Sequence, residues 1–183
     1  MSRNYKIRDQ ERLHFVTFTV IHWIDIFVRT DYKDVVVDSL NYCVDNRGLE
    51  VYAWCIMTSH VHLIIGTGGS NKLEDIIRDF KKYRFKSLFK VIKTNRQESR
   101  KDWMIWIFER AGKKNSNNVN FQFWQQHSHP IELNTNLLMD QKLECIHGNP
   151  VAAGIVFKAE DYMYSSAFDY AGGNGLVKMK FIS

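Results

Sequence analysis

A chain of 183 residues, 45% hydrophobic, 25% charged and 14% aromatic, has the composition of a folded domain, which sets disorder aside, and one hydrophobic core is expected over residues 1–183. With no apolar run of bilayer length and no charged-then-apolar leader, membrane-spanning and secreted classes are not expected. Three scattered cysteines, Cys43, Cys55 and Cys145, make a poor disulfide framework and point to a reducing, cytoplasmic setting, while a formal charge of +5 becomes informative only where it clusters.

His14 to Ile21 is β-branched and aromatic with no Gly or Pro, and predicts a first strand. From Asp31, which can cap, Val35, Val36, Leu40, Cys43 and Val44 recur at helical spacing until Gly48 ends the run. Leu49–Met57 and His60–Thr67 read as a hairpin turning on Thr58-Ser59. Asn71 to about Lys93 predicts a second helix, with Leu73, Ile76, Ile77, Phe80, Leu88 and Ile92 on its apolar side. Residues 97–120 mix aromatics with an Asn-rich run and read as an exposed loop. Phe121–Leu133 can supply a fourth strand demoted at its end by Pro130, and Leu137–His147 a third helix closed by Gly148 and Pro150. The tail from Val151 is mixed and carries Tyr162, Tyr164 and Tyr170. This order predicts an α+β fold of the ferredoxin-like, split βαβ kind, a four-stranded antiparallel sheet with its helices on one face.

Between Arg78 and Arg96 lie eight basic residues, among them Arg78, Lys81, Lys82, Arg84, Lys86 and Lys90, against the single acid Asp79. A stripe of this kind suits a polyanion, although a solvated helix face accounts for any one charge run equally well. Tyr83, Phe85 and Trp124 could stack unpaired bases, with packing the plainer role for Phe85 and Trp124.

His60 and His62 flank one residue of an apolar strand, so period-two alternation sends both imidazoles out of the same face, where they can chelate a divalent ion. An isolated His-x-His is more often a hydrogen-bonded core pair, and His127 and His129 repeat the spacing in a polar segment beside Pro130.

In its setting the first pair says more. The ordered segments HFVTFTV, MTSHVHLII, LEDIIRDFKKYRFKSL, FWQQHSHPIEL, KLECIHGNPVAAGIV and DYMYSSAFDYAG resemble the IS200-like Y1 transposases of the HUH superfamily, and especially the group associated with repetitive extragenic palindromes. The resemblance implies a single-strand endonuclease acting on hairpin or single-stranded DNA, as a monomer or homodimer, by metal-assisted transesterification. It implies that His60, His62 and Asn149 hold a divalent metal, Mg or Mn, since imidazole alone does not select Mg and an oxygen ligand is needed. The family reads Tyr-Ile-His-x-Asn-Pro where this chain reads Cys145-Ile146-His147-Gly148-Asn149-Pro150, so the nucleophilic phenol is replaced by a thiol. Three readings follow: a diverged copy that binds DNA and metal without cleaving, a substitute nucleophile in Tyr162 or Tyr164, or reaction at Cys145 itself. An inert, buried thiol is the first expectation for Cys145.

Overall fold

The computed structural model describes residue 7 and residues 9–69, 71–114, 121–126 and 129–182, without the side chains of residues 83–85. Four strands, β1 (His14–Thr19), β2 (Leu49–Ile56), β3 (His60–Thr67) and β4 (Ile131–Glu132), form one antiparallel sheet in the order β2-β3-β1-β4. The Thr58-Ser59 hairpin agrees with the sequence expectation, and β1 and β3 take the two central positions. In the β1–β3 register Thr17 faces His62 and Thr19 faces His60, while Val16 and Phe18 pair with Leu63 and Val61. Alternation therefore divides the two strands into a fully buried apolar row and a row of half-buried polar side chains.

The apolar row is covered by α1 (Thr30–Arg47) and α2 (Leu73–Thr94), the two helices of the split βαβ unit. Phe18 stacks on Phe80 of α2 at 5.5 Å between ring centroids, and Tyr32, Val36 and Leu40 of α1 are buried. Gly48 closes α1 in the left-handed conformation at φ 75°, with its amide donating to Cys43 O, as the sequence implies. Asp31 lies inside the first turn of α1, where its charge favours the helix dipole, and its side chain does not cap.

The stretch expected to be an exposed loop instead contains α3 (Lys101–Lys113). Met104, Phe108 and Gly112, four residues apart, form its buried stripe, a short signal masked by the aromatic residues on the opposite side. The Asn-rich residues 115–120 lie outside the described residues. Among its described residues, Phe121–Leu133 gives the two-residue β4 and a single bridge between Trp124 and Val20, and Pro130, which cannot donate to a ladder, immediately precedes β4. Phe123 and Trp124 pack with Phe27, Phe108, Phe18 and Phe80, so the aromatic content of this segment serves the core, the role preferred for Trp124.

Two devices set α3 in place. A Cβ at Gly112 would stand 2.3 Å from Phe121 Cα, so only glycine lets the returning chain cross the helix, and Gln122 N then donates to Phe108 O at 2.9 Å. At the other end Glu98, 4% exposed, accepts from Arg29 Nε at 2.9 Å and from Arg100 Nε at 3.0 Å, which ties the start of α1 to the start of α3. Burial alone would raise the Glu98 carboxyl, but these guanidinium and backbone hydrogen bonds outweigh it and hold it at about 2.

The third helix of the sequence reading is α4 (Asn136–Ala152), started by the Thr135 side chain accepting from Leu138 N at 3.2 Å. It does not stop at Gly148. The backbone continues helically through Pro150 to Ala152 and ends where Gly154 turns left-handed at φ 69°. The tail then returns along the outer edge of β2: Ile56 N donates to Tyr164 O and Ser166 N to Trp54 O, each at 2.9 Å, and α5 (Ala167–Tyr170) follows. No described helix is long and apolar enough to cross a membrane.

Gly112→Ala should cost about 2 kcal/mol, read as a lower urea midpoint with unchanged slope, because the added methyl meets backbone. Because the folded-state value of Glu98 lies below the unfolded one, its stabilisation is complete above about pH 4.5 and is lost as pH falls towards 2. Melting temperatures of Glu98→Gln should therefore fall less than those of the parent across that window, from a starting point lower by the equivalent of about 2 kcal/mol.

Candidate functional site

His60 and His62 emerge from β3 on the sheet face opposite α1 and α2, with their ring centroids 4.6 Å apart and edge to face. Each ring is steered by a neighbour. Thr17 Oγ1 lies 2.9 Å from His62 Nδ1, and Ser59 Oγ lies 3.2 Å from His60 Nδ1, so in both rings the hydrogen bond falls on Nδ1 and Nε2 is the nitrogen left for another partner. Phe15 stacks on His62 at 5.6 Å, and the edge of Trp23 meets His60 at 5.5 Å. Burial, then His60 and Lys142, lower the His62 imidazole to about 4, and burial lowers His60 as well, opposed by the Asp25 carboxylate. Both rings are neutral near pH 7, the form that can donate a nitrogen lone pair.

Trp23 stands out by exposure and by backbone. It is 58% exposed, and both His22 and Trp23 are left-handed, at φ 54° and 55°. Two consecutive non-glycine residues in this region cost of order 1–3 kcal/mol each. Hydrogen bonds hold the turn: Trp23 N donates to Val20 O at 3.0 Å, Val20 N to Ser59 O at 2.9 Å and Phe27 N to Thr58 O at 2.8 Å, all beside the β2–β3 hairpin.

Helix α4 crosses this same face. Ile146 and Pro150 are its buried contacts, and Lys142, Cys145 and Asn149, spaced by three and four residues, form the neighbouring side. Of that side, Lys142 approaches the histidine pair: its Nζ sits 4.9 Å over the Phe15 ring, which is itself stacked on His62. Because α4 runs unbroken past Gly148, Asn149 lies one turn beyond Cys145, and its amide Nδ2 comes within 3.9 Å of Cys145 Sγ. Cys145 is exposed, contrary to the expectation of a buried thiol, since Ile146 and Pro150 take the core-facing positions of the helix. His147 projects to the other flank, where Nε2 lies 2.9 Å from Ser166 Oγ and the ring meets Tyr170, fastening the tail.

The two tail tyrosines are placed elsewhere. Tyr162, 7% exposed, donates its hydroxyl to Ile56 O at 2.7 Å, and Tyr164, 5% exposed, donates to Asp34 Oδ1 at 2.8 Å. Burial raises both phenols, Tyr164 to about 12 with Asp34 adding to it, so each is a protonated packing group on the β2 edge. They do not have the open, deprotonatable hydroxyl that a substitute nucleophile requires.

The basic residues of α2 separate into groups. Lys82, Lys86, Lys90 and Lys93 are exposed along one side of the helix, and none has a carboxylate within 4 Å among the described residues. Arg78 is engaged with Asp75 at 2.6 Å and Asp79 at 3.7 Å, and Arg47 also pairs with Asp79. Lys81 turns inward over the Phe18 ring at 4.7 Å, where burial lowers its amine to about 8. The side chains of Tyr83, Arg84 and Phe85 lie outside the described residues, as does His127, and His129 is exposed. Since α2 covers the Phe18 side of the sheet, its lysines and the histidine pair look out of opposite faces. Thr17, Trp23 and Lys142 belong to the site without having been singled out from sequence. The register partner of His62 and the spacing Lys142, Cys145, Asn149 are the signals that point to two of them.

Compared with known families, residues 10–107 match the description "Transposase IS200 like", more than half of the chain and including both histidines. The chain belongs to the IS200-like transposase family. Helix α4 lies beyond that match, but the fold of the whole chain is shared with a solved structure, a REP-associated tyrosine transposase bound to a REP hairpin. The two align with a TM-score of 0.65 and 16% sequence identity, covering 100% of this chain and 94% of that one. A search of curated proteins finds no match. The α+β sheet expected of an IS200-like transposase is thus present.

Proposed function

We propose that this chain recognises hairpin or single-stranded DNA in the cytoplasm through the face that carries His60 and His62, holds a divalent cation there, and has lost the phosphotyrosine chemistry of its family. The observation that carries the reading is the pair of neutral imidazoles, oriented by Thr17 and Ser59, with Lys142 of α4 beside them. The donor set fits such a cation. Each histidine uses Nδ1 in a hydrogen bond and keeps Nε2, the usual arrangement of a ligating imidazole with an outer partner, and Asn149 keeps its amide oxygen while Nδ2 leans on Cys145. Among the described residues no third His, Cys, Asp or Glu joins the pair, so the oxygen that Mg or Mn requires would come from Asn149, from water or from DNA. Such an ion supplies Lewis-acid polarisation of a phosphodiester.

The remaining roles fall to the chain's own groups. Lys142, next to His62, attracts a phosphate to the face, and the exposed lysines of α2 add sequence-independent affinity from the other side of the sheet. In a family transesterification the nucleophile oxygen bonds to phosphorus while the bond to the 3′ oxygen breaks and that oxygen leaves as a hydroxyl. Cys145 stands at the nucleophile position with a shorter, softer atom, and Tyr162 and Tyr164 are committed to Ile56 and Asp34, which favours binding without cleavage. The second reading, attack by Cys145, draws on the exposure of its sulfur.

Titration with Mn should give one bound ion in the parent and a loss of at least tenfold in affinity in His60→Ala/His62→Ala, with hairpin binding weakened less than metal binding. Thr17→Val, which leaves His62 Nδ1 without its partner, should weaken Mn binding by about tenfold while the fold is retained. Incubation of labelled hairpin DNA with Mn should yield no denaturation-resistant adduct for the parent and an adduct for Cys145→Tyr. An adduct already present in the parent and lost in Cys145→Ser would establish the thiol as nucleophile, and absence of any DNA binding would refute the reading as a whole.

A further inference from the structure

His147 lies between Cys145 and Asn149 in α4 but points away from both. At about 3.6 residues per turn it stands roughly 160° round the helix from each of them and roughly 140° from Lys142. Its ring is half-buried against the tail, with Nε2 2.9 Å from Ser166 Oγ and the ring centroid 5.0 Å from that of Tyr170. Ser166 is fully buried, and both tail residues are tied to β2. Trp54 N donates to Ser166 Oγ at 3.0 Å, Ser166 N donates to Trp54 O at 2.9 Å, and the Tyr170 hydroxyl donates to Tyr52 O at 3.0 Å. Trp54 and Cys55 in turn pair with Leu63 and His62 of β3. The anchor of α4 and the histidine pair are therefore referred to the same stretch of β2.

The apolar contacts of α4, through Ile146 and Pro150, hold the helix down but leave its rotation loosely fixed, because hydrophobic burial has no direction. A hydrogen bond has both a direction and a narrow range of length. Turning α4 by about 20° about its axis would move a side-chain tip by roughly 2 Å, which breaks the bond to Ser166 on one side and shifts Lys142 and Asn149 as far on the other. A side chain that only filled space beside Tyr170 would have no need of a nitrogen on a buried hydroxyl that the strand already holds. Resting on the cation reading of the histidine face, we propose that His147 and Ser166 are positioning residues: the bond between them sets the rotation of α4, and with it where Lys142 and Asn149 stand relative to His60 and His62.

Titration of the full chain with Mn, with melting temperatures measured alongside, tests this latch. His147→Leu fills the space without the bond and should bind Mn about tenfold more weakly than the parent. His147→Gln brings an amide to the reach of Nε2, able to donate or to accept whichever group holds the proton, and should recover most of that loss. Ser166→Ala should match His147→Leu, and the two changes together should lose no more than either alone. If His147→Leu does not fold, Ser166→Ala, which removes one buried atom, carries the same comparison with the parent. Equal Mn affinity in the parent and the bond-deficient variants, or an equal loss in His147→Leu and His147→Gln, overturns the latch and leaves the cation reading standing. A parent that binds no Mn overturns the cation reading and this inference together.

Discussion

The pairing of β1 with β3 in one register is the constraint on which the site rests. With Thr17 opposite His62 and Thr19 opposite His60, the polar row faces α4 and the row of Val16, Phe18, Val61 and Leu63 faces α1 and α2. A slip by one residue would send both imidazoles into the Phe18–Phe80 core and bring the aliphatic side chains out. The energy that forbids the slip is hydrophobic, since each fully buried aliphatic or aromatic residue on that row contributes roughly 1.5–3 kcal/mol. The geometry of the histidines is thus secured by residues that never touch them. Thr17 adds the last degree of freedom, the rotation of the His62 ring.

A second constraint is the continuity of α4 through Pro150. A proline in the last turns of a helix removes one hydrogen bond, to the carbonyl of Ile146, and its ring must be accommodated. Here Pro150 is buried and the helix persists for two more residues, to Ala152. The consequence is chemical, because a helix ending at Gly148 would leave Asn149 in a turn of arbitrary direction, whereas a continuous one holds Asn149 and Cys145 one turn apart on the same side.

Where the chain alternates cleanly, the sequence is legible. The β1 run, the hairpin around Thr58-Ser59, the end of α1 at Gly48 and the shared face of His60 and His62 follow from period-two and helical spacing and from one left-handed glycine. Three features were not legible for definite reasons. The helix α3 places its largest aromatics, Trp103 and Trp106, on the solvent side, so its hydrophobic pattern does not mark the core, and only Met104, Phe108 and Gly112 do. The burial of Tyr162 and Tyr164 depends on the tail pairing along the β2 edge, a contact between residues more than a hundred positions apart. The inward turn of Lys81 depends on its place beside Phe18, which charge counting cannot distinguish from the exposed Lys82 next to it.

The distribution of cations follows from the same sheet. Because α2 lies on the Phe18 side, Lys82, Lys86, Lys90 and Lys93 are separated from the histidines by the full thickness of the β layer, farther than an exposed charge acts strongly at physiological salt. On the proposed reading those lysines bear on encounter and on salt dependence, while the cation that acts at the histidine pair is Lys142, close enough to lower His62. On the same proposed reading, long-range attraction and local phosphate placement are divided between two helices on opposite faces. A lysine-to-alanine change on α2 and one at position 142 remove the same formal charge from different electrostatic surroundings, and the sheet between them is the reason.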